Sequence, residues 1–189
     1  MPIRMASRKH PPHPFHNRLW KAGYAWLSFQ NVVELCDYIE RERIPYDAPI
    51  YYRLVTAINT LYARPFKHSK GIESLTDQFV PKKFHHLHKQ LITLRDKTTA
   101  HVDARNVFFQ GSPANNVVLI VREHGNRLQL AVQRAKLKPS AIKQIRELAS
   151  GLVDRMLKYI ADVADKYPND VPDDGEYLID LATKTLRRL

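Results

Sequence analysis

The segment Arg95-Asp96-Lys97-Thr98-Thr99-Ala100-His101 places a guanidinium, a carboxylate and an imidazole within seven residues. Histidine is the side chain whose charge changes near neutral pH, and arginine carries a planar fork of donors that matches phosphate oxygens. Arg95 and His101 lie six steps apart. On an ideal helix that is a rotation of about 600°, which leaves the two side chains some 120° apart. They converge only if the helix loosens near Thr98-Thr99, two β-branched and modest helix formers, or if a second chain supplies the partner. The same residues also have a plain structural use. Arg95 can pair with Asp103 at the surface, and His101 can pack at a helix end, where its proton meets the C-terminal dipole.

Other chemistry-bearing residues are less well placed. His10, His13 and His16 repeat every three residues, but prolines separate them and no second cluster completes a metal site. His85 and His88 are i,i+3 on a helix, without the carboxylate neighbours of a zinc-binding pattern. There is no Gly-rich phosphate loop and no serine in a nucleophile elbow. Asp173, Asp174 and Glu176 suit the first turn of a helix, where they compensate its dipole. The single cysteine, Cys36, excludes an internal disulfide framework and a Cys-based zinc site. The sequence therefore points to no metal and no cofactor.

The elements that must position these residues follow from apolar spacing. Residues 1–16 are Pro- and His-rich and read as a flexible basic arm. A first helix over about 17–43 carries Trp20, Tyr24, Leu27, Val32, Leu35 and Ile39. A second, over 48–64, carries Tyr52, Val55, Ile58, Leu61 and Tyr62, and Arg64-Pro65 stops it. Tyr51, Tyr52 and Tyr62 could stack on bases, but at helical spacing they read as core. Residues 66–80 read as a basic connection. A third helix begins near Pro81, with Phe84, Leu87, Leu91, Leu94, Thr98 and His101 as one stripe. NVVLIVRE and RLQLAVQRA flank His124-Gly125-Asn126, a β-hairpin pattern over about 116–133. A fourth helix opens at Lys138-Pro139 and carries Ile142, Ile145, Leu148, Leu152, Met156, Ile160 and Val163, with Gly151 permitting a close approach. Residues 168–189 read as an acidic loop and a short C-terminal helix over 176–188. The expected architecture is a mainly α, up-and-down bundle of four to five helices with one inserted hairpin.

Charge narrows the partners. Residues 1–150 carry 24 basic and 11 acidic side chains, whereas residues 151–189 carry 6 and 8. A basic body of this kind favours polyanions, RNA or DNA above all. The composition, 44% apolar and 26% charged, is that of a globular chain. The longest run of large apolar residues, Val117 to Val121, is too short to span a bilayer. The N-terminal stretch lacks the apolar region of a secretory signal, so a cytoplasmic protein with no membrane partner is expected.

RDKTTAH matches the R-x(4–6)-H signature of the HEPN superfamily, and Asp96 fits its polar residue after the arginine. YARPF at 62–66, followed by RDKTTAHVD at 95–103, resembles bacterial HEPN-like proteins over roughly 17–165. The resemblance implies metal-independent RNA cleavage that leaves a 2′,3′-cyclic phosphate and a 5′-hydroxyl. It makes His101 the general acid/base and Arg95 the group that stabilises charge on the phosphoryl transition state, with Asp96 orienting its neighbours. Lys97, Arg105 and Arg64 would add phosphate contacts. It further implies a homodimer that brings two Arg–His pairs together, a toxin or defence setting, and an antitoxin or regulatory protein as partner. The competing expectations are a non-catalytic HEPN-like module that binds nucleic acid or protein, and a helical adaptor whose basic face takes an acidic protein.

Overall fold

The computed structural model describes residues 14–68, 73–96, 117–123, 127–133, 137–169, 171, 173, 175–180 and 185–188. The fold is mainly helical. Four α-helices, α1 (Pro14–Arg41), α2 (Pro49–Ala63), α3 (His85–Leu94) and α4 (Pro139–Lys166), account for most of the described residues. Each of α1, α2 and α4 starts at a proline, whose missing N–H and fixed φ suit a first helical turn. α1 begins three residues before the expected start. Phe15 is buried there, edge-on to Tyr167 at 6.0 Å, so it belongs to the bundle rather than to the arm. Two residues past the end of α1, Arg43 has a left-handed φ of 48°. The Arg43 N–H reaches Glu40 O at 3.2 Å and the Ile44 N–H reaches Ile39 O at 3.1 Å, a paired closure of the last turn.

Cross-helix contacts give the helix directions. Phe15 and Arg18 of α1 meet Tyr167 just past the end of α4, while Asp37 near the end of α1 pairs with Arg146 near the start of α4. Phe29 packs on Tyr62, and Tyr24 packs on Arg64 beyond it, so α2 runs against α1. Tyr62 meets His88 and Asn59 meets Leu91, so α3 runs against α2. The Tyr51 hydroxyl donates to Leu137 O at 2.7 Å and ties the start of α2 to the entrance of α4.

The core is built from the i, i+3, i+4 faces of all four helices. α4 contributes Ile142, Ile145, Leu148, Leu152 and Met156; α3 contributes Leu87, Leu91 and Leu94; α2 contributes Val55, Ile58 and Tyr62. α1 differs from its expected stripe. Ala22, Ala25, Phe29, Val32, Cys36 and Ile39 are buried, whereas Leu27 is 53% exposed. Apolar residues lie on more than one side of α1, and the buried side is the one carrying two small alanines. Gly151 marks no close approach, because a Cβ there would meet nothing within 4 Å. Leu152 is fully buried and Leu157 is 49% exposed on the same helix. Leu152→Ala is therefore expected to cost about 2–5 kcal/mol in denaturant unfolding, and Leu157→Ala less than about 1 kcal/mol. Equal costs would contradict this assignment of the α4 core face.

Among the described residues between α2 and α3 are the 3-10 turns Arg64–Phe66, Asp77–Phe79 and Lys82–Phe84. Beyond α3, strands β1 (Val117–Glu123) and β2 (Arg127–Gln133) pair antiparallel, Val117 opposite Gln133 and Glu123 opposite Arg127. The intervening residues 124–126 lie outside the described residues. The expected C-terminal helix is not found. Its place is taken by two short antiparallel strands, β3 (Tyr177–Asp180) and β4 (Thr185–Arg188). Tyr177, Ile179 and Thr185 are strand formers, and a 13-residue helix would need a packed face to hold it. Among the described residues, no helix is long and apolar enough to cross a membrane.

Candidate active site at the end of α3

α3 widens to π-type geometry at Arg95 and Asp96. The Arg95 N–H still bonds to Leu91 O and Ile92 O within the helix, and a side chain from α2 adds to these bonds. Asn59 is 1% exposed. In the orientation that satisfies its amide, it donates to Leu91 O at 2.9 Å and accepts from the Arg95 N–H at 3.0 Å. A buried amide thus fixes the backbone from which Arg95 projects. The Arg95 side chain is 34% exposed, and its Nη1 donates to Asp96 Oδ1 at 3.1 Å. The other Asp96 oxygen accepts from Lys67 Nζ. One carboxylate therefore holds two cations. Partial burial works to raise the Asp96 pKa, but the hydrogen bonds and charges of Lys67 and Arg95 outweigh it and hold the carboxyl below its ordinary value.

Lys67 follows a turn that is tightly anchored. Pro65 is buried, and its carbonyl accepts from the Leu75 N–H at 2.7 Å. The Phe66 ring packs 4.5 Å from the His88 ring, 5.6 Å from Tyr62 and 5.8 Å from Phe29. The outgoing strap is held by Asp77, which takes a hydrogen bond from His88 Nε2 at 3.1 Å. His88 Nδ1 is 2.8 Å from the Tyr62 hydroxyl. An ionised Asp77 can only accept, so Nε2 carries the proton and Nδ1 accepts from the Tyr62 O–H. His88 is 3% exposed and Tyr62 is fully buried, so this chain runs from a surface carboxylate to an interior phenol and offers no nucleophile to solvent. Burial lowers the His88 pKa most, His85 and Lys67 lower it further, and Asp77 opposes them. Burial likewise raises the Tyr62 phenol strongly.

Among the sequence-derived candidates, Arg95 and Asp96 are in contact and are joined by Lys67. Arg64 is exposed, with its guanidinium 5.3 Å from the Tyr24 ring centre. His101, Lys97 and Arg105 lie outside the described residues. Lys67 escaped the sequence reading because its partner Asp96 is 29 residues away. His88, paired with His85 in the sequence as a weak metal candidate, is instead buried on the apolar face, four residues after Phe84 and three before Leu91. Tyr51 and Tyr62 are core rather than base-stacking residues. Cys36 is buried, and its thiol is pushed up to about 12 chiefly by burial, so it is no nucleophile at neutral pH. Among the described residues, no three His, Cys, Asp or Glu side chains are grouped to hold a metal ion. Compared with family models, curated proteins and solved structures, the chain matches none.

Proposed function

We propose that the chain is a metal-independent endoribonuclease of HEPN type, acting through Arg95 and His101. The observation that carries this reading is the placement of Arg95. It sits at a widened helix end, on a backbone anchored by a buried asparagine, with a partly exposed guanidinium beside a second cation. Preorganised cations of this kind stabilise charge that develops on a phosphoryl group. The basic charge of residues 1–150 also favours an RNA substrate.

In the proposed reaction the ribose 2′-oxygen attacks the adjacent phosphorus. The O2′–P bond forms, the P–O5′ bond breaks, and the 2′-proton leaves as the 5′-oxygen gains one. His101 handles these protons and Arg95 binds the non-bridging oxygens. Asp96 orients Arg95. Lys97 and Arg105 contact flanking phosphates. A second copy of the chain supplies the second Arg–His pair, and in a toxin setting a neutralising protein covers the site. The test is the product end. RNA cut in EDTA should carry a 2′,3′-cyclic phosphate, and a 2′-deoxy residue at the cut position should abolish cleavage there. Cleavage that tolerates 2′-deoxy substitution would overturn the reaction.

One observation favours the second reading, a non-catalytic nucleic-acid-binding module. Asp96 already engages both Arg95 and Lys67, as a structural ion-pair cluster would. Under that reading Arg95→Ala weakens RNA binding, and no RNA is cut.

A further inference from the structure

A second cationic feature lies one turn away from the Arg95 cluster. Arg64 opens the 3-10 turn Arg64–Phe66, and the Lys67 N–H closes it on Arg64 O at 3.2 Å. Lys67 follows that turn in extended geometry, so Arg64 and Lys67 bracket the same anchored turn. Lys67 reaches Asp96, and Asp96 reaches Arg95. Arg64 and Arg95 are thus linked through one turn and one carboxylate. Asp96 offsets only one of the two charges it touches. Among the described residues, no carboxylate pairs with Arg64.

What holds Arg64 is an aromatic stack. Its guanidinium lies 5.3 Å from the Tyr24 ring centre, and Tyr24 stacks on Trp20 at 6.4 Å with 26° between the rings. The Trp20 Nε1 proton is buried without a hydrogen-bond partner among the described residues, so the indole contributes its ring face at the cost of its donor. A guanidinium held against an aromatic ring keeps in-plane N–H groups for phosphate oxygens and an outer face on which an unpaired base can stack.

We propose that Arg64, backed by the Tyr24 and Trp20 rings and accompanied by Lys67, is a phosphodiester-binding subsite for single-stranded RNA. It holds the strand beside the segment engaged at Arg95. Tyr24 is a positioning residue that acts through Arg64. The inference rests on reading the chain as an RNA-cleaving protein, but its test does not depend on cleavage.

The experiment is anisotropy titration of the full chain in EDTA with a 2′-O-methyl RNA oligomer, roughly 12 nucleotides long, which cannot be cut. Arg64→Ala should weaken binding about tenfold and make the salt dependence shallower by about 0.7 in log–log slope. Arg64→Lys keeps the charge and should retain the slope at an intermediate affinity. Tyr24→Leu should weaken binding about threefold, whereas Tyr24→Phe, which keeps the ring, should bind like the wild type. Melting curves check that each variant is folded. Wild-type affinity and slope in Arg64→Ala would overturn the subsite, as would failure of the wild type to bind the oligomer. Loss of binding on Arg64→Ala in a protein that cuts no RNA leaves the subsite standing and removes the chemistry. RNA cleavage with unchanged binding by Arg64→Ala does the reverse.

Discussion

Arg95→Ala is expected to lower RNA cleavage in EDTA about a hundred- to a thousandfold, the usual consequence of removing one preorganised donor from a developing oxyanion. The fold should survive the change. Arg95 is one-third exposed, and the groups that anchor this helix end belong to Asn59 and the backbone rather than to the arginine side chain. The variant also leaves Asp96 with Lys67 as its remaining cationic partner among the described residues. Arg95→Lys keeps the charge but loses the planar fork, and it should recover only part of the rate. A melting temperature unchanged beside a collapsed rate separates transition-state stabilisation from structural damage. If Arg95→Ala cleaves at the wild-type rate, the guanidinium has no part in the reaction.

The second large effect concerns stability and its pH dependence. His88→Leu is expected to cost about 2–3 kcal/mol, because it strands the fully buried Tyr62 hydroxyl without its acceptor and removes the hydrogen bond that holds Asp77. Adding Tyr62→Phe removes the stranded hydroxyl, so the double variant should be more stable than His88→Leu alone. The sign of the pH effect follows from the lowered pKa. Burial holds His88 below its ordinary value, with His85 and Lys67 acting in the same direction and Asp77 against them. The unfolded chain then takes up a proton, near the usual pKa of about 6.5, more readily than the folded one. This contribution to stability is fully present above that value and is lost as the pH falls through the folded-state pKa. Unfolding free energies between about pH 7.5 and pH 5 should therefore decline in the wild type and decline less in His88→Leu. Asp96 acts in a separate window: its lowered pKa stabilises the fold above the ordinary carboxylate range, and that contribution is lost at more acid pH. A wild type whose stability is flat over the histidine range would contradict the assigned His88 environment.

Both effects depend on features of unequal visibility in the sequence. The α4 stripe from Ile142 to Met156 and the α3 stripe of Leu87, Leu91 and Leu94 were legible because their apolar residues keep to one face. The N-terminal half of α1 is ambiguous in the sequence, since Trp20, Tyr24 and Leu27 form as regular a stripe as Ala22, Ala25 and Phe29. Periodicity alone does not say which of two apolar faces is buried. The C-terminal strands were missed for a similar reason: Leu178, Leu181 and Leu186 fit a helical face, while Tyr177, Ile179 and Thr185 favour strands. At the candidate site, Arg95 and Asp96 were legible as neighbours in a motif. The Asn59 anchor and the Lys67 ion pair were not, because each joins residues about 30 positions apart and no local pattern encodes such a contact. Arg64 was visible only as a charge near a helix end. Its stacking on Tyr24, 40 residues earlier, depends on the antiparallel packing of α1 and α2.

The most direct test is cleavage of a mixed RNA in EDTA by wild type and by His101→Ala, with melting curves for both. The wild type should cut, and the variant should fold normally and not cut. RNA cut equally well by His101→Ala, or no cutting by the wild type, would contradict cleavage through His101.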